Sequence, residues 1–325
     1  MGFVEVLTKA RKLLGNVSFC KKDIMEWKPD VVILIDYPGF NMKIARWAHQ
    51  TGLKVHYYIA PKAWAWKEHR VKALRQYVDK LLIIFPFEQE WFSSRGVENI
   101  SFCGNPLMDA ITERQASLPT GEEFRKCNGL DERPIVALVA GSRVSEIRDN
   151  LPEMVALSRR FPDRQFVVTG VEWVARVVYD KILNGSDVKV VYNQTYETLN
   201  VAEAALVTSG TATLETALMG IPEMVLYHIP KLYEVLRPLV LKIPFVSLVN
   251  INLSREAVRE IVVAKVDMEE AERELRSILE GGSKREKMLA DFEELRTIIG
   301  GAGASERFAD CIVKSIRNSQ STIHN

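Results

Sequence analysis

Ala204-Ala205-Leu206-Val207-Thr208-Ser209-Gly210-Thr211-Ala212-Thr213-Leu214-Glu215 passes from an apolar, strand-like run through a turn into a helix predicted from Thr211 to Met219. A glycine at such a turn lets backbone approach a ligand closely, and the threonines offer hydroxyls. The start of the helix presents unpaired N–H groups with a partial positive charge, which suits a phosphate. Glu215, one turn further in, is placed for the ribose hydroxyls of a nucleotide. Taken alone, the same residues also describe Ser209 or Thr211 merely capping a helix, the commoner use of this pattern.

The rest of the chain repeats the rhythm. Short β-branched runs at Val31–Ile35, Val55–Ile59, Lys80–Phe85, Ile135–Val139, Gln165–Thr169, Val188–Tyr192, Ala204–Thr208 and Met224–His228 alternate with helical patterns. That is the βαβ alternation of parallel sheets. Periodicity is most broken between Arg114 and Pro134, where Pro119, Gly121 and Gly129 fall among mixed charges, and a domain boundary is expected there. The expected organisation is a Rossmann-like first domain over 1–120, a second over 133–300, and a helix with a polar tail over 301–325, its helix running from Ala304 to Ile316. Two doubly wound domains of this kind bind ligands at the carboxyl ends of their strands, facing a cleft. The first domain opens on a helical segment, Met1 to Glu26, with no strand before it, and shows only three strand patterns.

Composition narrows the function. The 325 residues, 47% apolar, suffice for two cores, and a net charge of +1 gives no sign of a nucleic-acid binder. Four scattered cysteines, Cys20, Cys103, Cys127 and Cys311, show no CxxC spacing and read as reduced thiols of a cytoplasmic protein, with no metal site. No apolar run approaches the roughly 20 residues that span a bilayer, and no signal-peptide layout is present.

Three further stretches carry chemistry. Asp36 ends a strand and precedes Tyr37-Pro38-Gly39-Phe40-Asn41; there it either acts as a general base toward an acceptor hydroxyl or caps the turn. In Pro61-Lys62-Ala63-Trp64-Ala65-Trp66-Lys67-Glu68-His69-Arg70, continuing through Lys72 and Arg75, two tryptophans lie among cations. They fit a sugar or lipid-headgroup site, a membrane interface, or a pair of anchoring core aromatics. Gly141-Ser142-Arg143, between a strand and a helix, suits a diphosphate, with a planar guanidinium as donor.

In this order the segments resemble the lipid A disaccharide synthase family along nearly the whole chain. The resemblance rests on Pro29-Asp30, Ile35-Asp36, Phe40-Asn41, Trp64-Ala65-Trp66, Pro86-Phe87-Glu88, Gly104-Asn105-Pro106, Gly141-Ser142-Arg143 with Ser145-Glu146-Ile147, Ser209 to Glu215, and Phe245-Val246-Ser247-Leu248 with Asn250 and Asn252. It implies a GT-B-like α/β fold, two Rossmann-like doubly wound domains facing a cleft, the first incomplete, with a C-terminal helix crossing back onto the first.

It also implies an inverting transfer of 2,3-diacylglucosamine from its UDP derivative to 2,3-diacylglucosamine 1-phosphate, giving the β-1,6 disaccharide. Asp36 would be the base. Arg143, Ser209, Gly210, Thr211, Thr213, Glu215, Asn252 and Glu260 would hold the nucleotide, and Asn41, Trp64, Trp66, Lys67 and Arg70 would lie on the acceptor or membrane side. No metal or other cofactor is implied, the UDP-sugar being a substrate. The expected location is the inner face of the cytoplasmic membrane, against anionic lipid; whether the chain is a monomer or a homodimer is not written in its sequence.

Relative to the family's pattern, Gly39 replaces a second acidic residue, and Val263 stands where a glutamine is usual. A further N-terminal strand and a glycine-rich turn are expected to be missing before Met1-Gly2-Phe3. Two other readings follow: a truncated remnant that binds UDP or lipid without catalysis, and a UDP-sugar 2-epimerase on the same scaffold.

Overall fold

The structure, a computed structural model, describes residues 3–208, 210–231 and 243–321. It divides into two compact units, Met1–Pro106 with Ala302–Asn325, and Leu107–Gly301.

The first unit holds a parallel sheet of four strands in simple order: β1 (Val31–Ile35), β2 (Lys54–Tyr58), β3 (Lys80–Ile83) and β4 (Ile100–Phe102). Alternation along β3 sends side chains to two cores. Leu81 and Ile83 join Ile44, Ala45 and Ala48 of the helix Pro38–Gln50, whereas Leu82 meets Ala304 and Phe308 of the C-terminal helix Ala304–Ser321. On β1, Val32 and Leu34 are buried, but Ile33 and Ile35 remain 43% and 57% exposed. The chain opens on a helix, Phe3–Trp27, that leads into β1.

The second unit is a six-stranded parallel sheet ordered β10-β9-β8-β5-β6-β7. Its strands are β5 (Ile135–Val139), β6 (Gln165–Gly170), β7 (Lys189–Tyr192), β8 (Ala202–Val207), β9 (Glu223–His228) and β10 (Glu260–Val263). Every residue of β5 is buried, as expected for a central strand covered on both faces. From β5 the chain winds outward through β6 to β7, then returns to the other side of β5 with β8 and continues through β9 to β10. The order therefore reverses between β5 and β8.

The turn-rich stretch 114–134 lies within this unit. Thr120 and Glu123 form a reciprocal cap on the helix Gly121–Asn128, whose Phe124 packs with Ile135 and Val167. Arg114 donates to Glu197 at 2.6 Å.

Candidate functional site

In an open parallel sheet, the loops leaving two adjacent strands on opposite windings splay apart and leave a crevice at the strands' carboxyl ends. β5 and β8 are that pair, with Val139 opposite Val207. Thr208 fastens the two exits together: its N–H and its hydroxyl both donate to the Val139 carbonyl, at 3.0 and 3.1 Å. The turn carrying Arg143 and the turn carrying Gly210 are thus brought side by side.

The first turn is held by Glu146. Its Oε2 accepts from the N–H groups of Ser142 and Arg143 at 3.0 and 3.2 Å, and its Oε1 accepts from Arg143 Nη1 at 2.6 Å. Gly141 has a φ of +108°, and a Cβ there would lie 2.7 Å from Glu146 Cβ, so the turn needs glycine for both reasons. Arg143 is exposed, with one edge of its guanidinium on Glu146. Trp173, exposed, donates its indole N–H to the Ser142 carbonyl at 2.8 Å.

Ser209 lies outside the described residues. Gly210 has φ +137° and ψ −154°, a region open in practice only to glycine, and it delivers Thr211 as the first residue of the helix Thr211–Leu218. Thr211 is exposed at that helix start, while Thr213 is buried and ties the turn to a third segment. Its hydroxyl donates to the Gly210 carbonyl at 2.9 Å and accepts from Leu248 N–H at 3.3 Å. Glu215 accepts from the Tyr196 hydroxyl at 2.9 Å. Burial pushes the Glu215 carboxyl up, and the Tyr196 bond partly offsets this.

The third segment is shaped by Glu260. Its carboxylate accepts from the N–H groups of Val246 and Ser247 and from Asn250 Nδ2, all at 2.9 Å. Glu260 therefore holds a loop with the carboxylate that a nucleotide contact would require. Ser247 caps the helix Leu248–Leu253. On that helix Asn252 is buried, donates to the Leu248 carbonyl at 2.7 Å, and keeps its Oδ1 without a partner among the described residues.

In the first unit, Asp36 and Tyr37 both adopt left-handed backbone, with φ of +46° and +40°. Such conformations cost non-glycine residues of the order of 1–3 kcal/mol each and persist only when surrounding groups impose them. Here Asn41 Nδ2 donates to the carbonyls of Ile35 and Asp36 at 2.8 and 2.7 Å, and the Tyr57 hydroxyl donates to the Asp36 carbonyl at 2.6 Å. The Asp36 side chain is left exposed, without a hydrogen bond among the described residues. Asn41 is buried and directs its amide to the backbone, so it positions Asp36.

The two tryptophans separate. Trp64 is buried and donates its indole N–H to Glu88 Oε1 at 2.9 Å, which makes it an anchor of its loop and removes it from the surface expected for it. Trp66 is 48% exposed, with Lys67 Nζ 4.1 Å and Arg70 Cζ 5.5 Å from its ring centroid. Cations over an indole face are attracted by its quadrupole. Glu88 also accepts from the N–H groups of Ile84 and Phe85, and burial pushes its carboxyl up to about 7 against the pull of these donors.

Tyr196, Trp173 and Tyr57 carried no turn or glycine signal and are visible only in the folded chain. Among the described residues no group of three His, Cys, Asp or Glu side chains could hold a metal ion, and no helix is long and apolar enough to cross a membrane.

A family model described as lipid-A-disaccharide synthetase matches residues 1–311. The lipid-A-disaccharide synthase of Myxococcus xanthus is 34% identical over 321 residues, covering 97% of this chain and 82% of the relative. That of Syntrophus aciditrophicus is 33% identical, covering 98% and 84%. Among solved structures, S. aureus MnaA with UDP aligns with a TM-score of 0.64 at 15% identity, covering 95% of this chain and 82% of the other. The UDP-GlcNAc 2-epimerase of Neisseria meningitidis bound to UDP-GlcNAc gives 0.62 at 13%, covering 93% and 81%. At such identities these structures speak for the fold alone, which is GT-B. The sequence relatives decide the rest: the chain belongs to the lipid-A-disaccharide synthase family, glycosyltransferases of lipid A biosynthesis.

Proposed function

We propose that the chain transfers 2,3-diacylglucosamine from UDP to the 6-hydroxyl of 2,3-diacylglucosamine 1-phosphate, with inversion at the anomeric carbon. The observation that carries this reading is the β5/β8 crevice, where Gly141-Ser142-Arg143 and Gly210-Thr211 meet at adjacent strand ends. UDP is held there: the N–H groups at the start of the helix Thr211–Leu218 and the Arg143 guanidinium take the diphosphate, and Glu215 takes the ribose hydroxyls. Asn252 Oδ1, a buried acceptor without a protein partner, supports a donor from the ligand nearby.

Asp36 takes the proton of the acceptor hydroxyl as that oxygen bonds to the anomeric carbon and the bond to UDP breaks. Arg143 and the helix start stabilise charge on the departing diphosphate, so the step calls for no metal and should survive a chelator. Trp66, Lys67 and Arg70 bring the first unit to anionic lipid at the inner membrane face.

The test is incubation with both acylated substrates, following UDP release and disaccharide by mass spectrometry. Product that disappears in Asp36→Ala while UDP binding persists supports the reading. Undiminished product from that variant removes Asp36 as the base, and no product from a folded chain that binds UDP favours the remnant. Release of an epimerised sugar would restore the epimerase, which the sequence relatives do not favour. For the membrane contact, binding to anionic vesicles should be salt-sensitive and should fall in a Lys67→Ala/Arg70→Ala variant; binding unchanged by either rejects it.

A further inference from the structure

Cys103 lies just beyond β4, and Cys311 lies on the C-terminal helix, some two hundred residues later in the chain. Both pack on one apolar cluster, formed by Leu82 of β3 with Ala304 and Phe308. Ala304, Phe308 and Cys311 recur at helical spacing, so one face of the helix lies on the sheet and carries the thiol with it. Sharing that cluster brings the two thiols near enough to perturb each other electrostatically, and both side chains are partly accessible. Beside them, Arg307 donates from Nε to the Cys103 carbonyl at 2.8 Å and from Nη1 to the Ala302 carbonyl at 2.8 Å. The helix is thus already fixed against the Cys103 backbone before any covalent bond forms.

We propose that Cys103 and Cys311 are a redox pair that closes into a disulfide under a hydroperoxide and fastens the C-terminal helix to the sheet of the first unit. One sulfur, as thiolate, attacks a peroxide oxygen: an S–O bond forms, the O–O bond breaks, and the leaving hydroxide takes up the proton shed by the thiol. The second sulfur then attacks the sulfenic sulfur: the S–S bond forms, the S–O bond breaks, and hydroxide departs with the second thiol's proton as water. In sum, two thiols and one hydrogen peroxide give one disulfide and two waters.

At rest the pair is reduced. Burial and the neighbouring Cys311 push the Cys103 thiol up, while Lys80 and Arg307 pull it back. A thiol in that setting has little thiolate at neutral pH, so its attack on peroxide is slow, and the two electrons lost on closure go to the hydroperoxide. A bond between 103 and 311 would enclose the whole second unit, Leu107–Gly301, in one covalent ring.

The test uses the full chain, treated with hydrogen peroxide, alkylated with iodoacetamide and mapped by mass spectrometry. Cys103→Ser, Cys311→Ser and a Cys20→Ser/Cys127→Ser double variant are run beside it. The expected result is a linked Cys103–Cys311 peptide in the parent and the double variant, reversed by dithiothreitol and absent from both single variants. Tryptic cleavage at Arg307, Lys314 and Arg317 should slow several-fold on oxidation. Separate over-oxidation of the two sulfurs, or links formed only through Cys20 or Cys127, overturns the proposal. If a single variant fails to fold, the double variant, which leaves the pair intact, still decides it.

Discussion

Asn41 Nδ2 stands 2.7 Å from the carbonyl oxygen of Asp36, and this one amide holds the backbone of a residue two positions before the helix that Asn41 itself belongs to. The contact joins the end of β1 to the first turn of the next helix, and with the Tyr57 hydroxyl it imposes the left-handed conformation on Asp36. Asn41→Ala should therefore act in two ways. Losing two hydrogen bonds costs about 1–3 kcal/mol of stability. Turnover should fall by a larger factor than stability explains, because the carboxylate is no longer aimed, while UDP affinity stays unchanged. Denaturant unfolding, steady-state turnover and calorimetric titration with UDP measure the three separately; a parallel loss of UDP affinity would contradict the assignment.

Gly210→Ala forces a Cβ into φ +137° and ψ −154°. The expected cost is of the order of 1–3 kcal/mol in stability, with at least a tenfold loss of UDP affinity as the helix start is displaced. Gly15→Ala is the control: it lies within the helix Phe3–Trp27 with no atom near its added Cβ. It should stabilise by roughly 0.5–1 kcal/mol. Equal effects from the two would show that the Gly210 turn is not used for binding.

The Glu88 carboxyl, pushed up to about 7 by burial, makes stability depend on pH. Its folded-state value lies above its unfolded one, so between pH 4.5 and 7 the folded chain holds more protons, and stability falls as pH rises through that window and levels off above it. The full change is about 3 kcal/mol. Unfolding of the parent and of Glu88→Gln by denaturant between pH 4.5 and 8 should show the difference shifting against the parent as pH rises. A difference that does not vary with pH refutes the account.

Glu260→Ala removes the acceptor of two backbone N–H groups and the Asn250 amide. Depriving these half-buried donors of their shared acceptor costs roughly 1–3 kcal/mol in stability, the Asn250 amide keeping its bond to the Val258 carbonyl. The loop at 246–250 should loosen, and UDP affinity should fall because Asn252 and the Thr213–Leu248 bond move with it. Glu260→Gln restores an acceptor at one oxygen only and should fall between the parent and Glu260→Ala. Amide hydrogen exchange at Val246 and Ser247 reads the loop directly, and unchanged exchange in Glu260→Ala would dismiss this role.

Much of the architecture was legible because buried parallel strands are runs of β-branched residues with turns at their ends. Val31–Ile35 and Ile135–Val139 were bounded to the residue. β4, only Ile100-Ser101-Phe102, is too short to show a period, and β10 was read as a motif rather than as a strand. The stretch 114–134 drew attention through its prolines and glycines, yet these residues cap and end the helix Gly121–Asn128 inside the second unit. Composition could not distinguish Trp64 from Trp66, because the partners of the Trp64 ring and indole N–H, Phe87 and Glu88, lie more than twenty residues later in the chain. Glu146 was quoted as part of a motif, but its hold on the Ser142 and Arg143 N–H groups shows only in the folded turn; Tyr196 was hidden, because it meets Glu215 across β8, a relation with no sequence period.

Arg307 links the carbonyls of Cys103 and Ala302, the two points where the chain leaves the first unit and comes back to it. Synthesis runs the other way from completion. Leu82 is made first and acquires Ala304 and Phe308 only after the whole second unit has been synthesised. At about 5–20 residues per second, the roughly 200 residues between them keep β3 waiting for some 10–40 s. During that interval the second unit has all of its own strands and can finish first. The nascent first unit has one sheet face bare until the helix Ala304–Ser321 has been made, and that is when a chaperone would matter most to this chain.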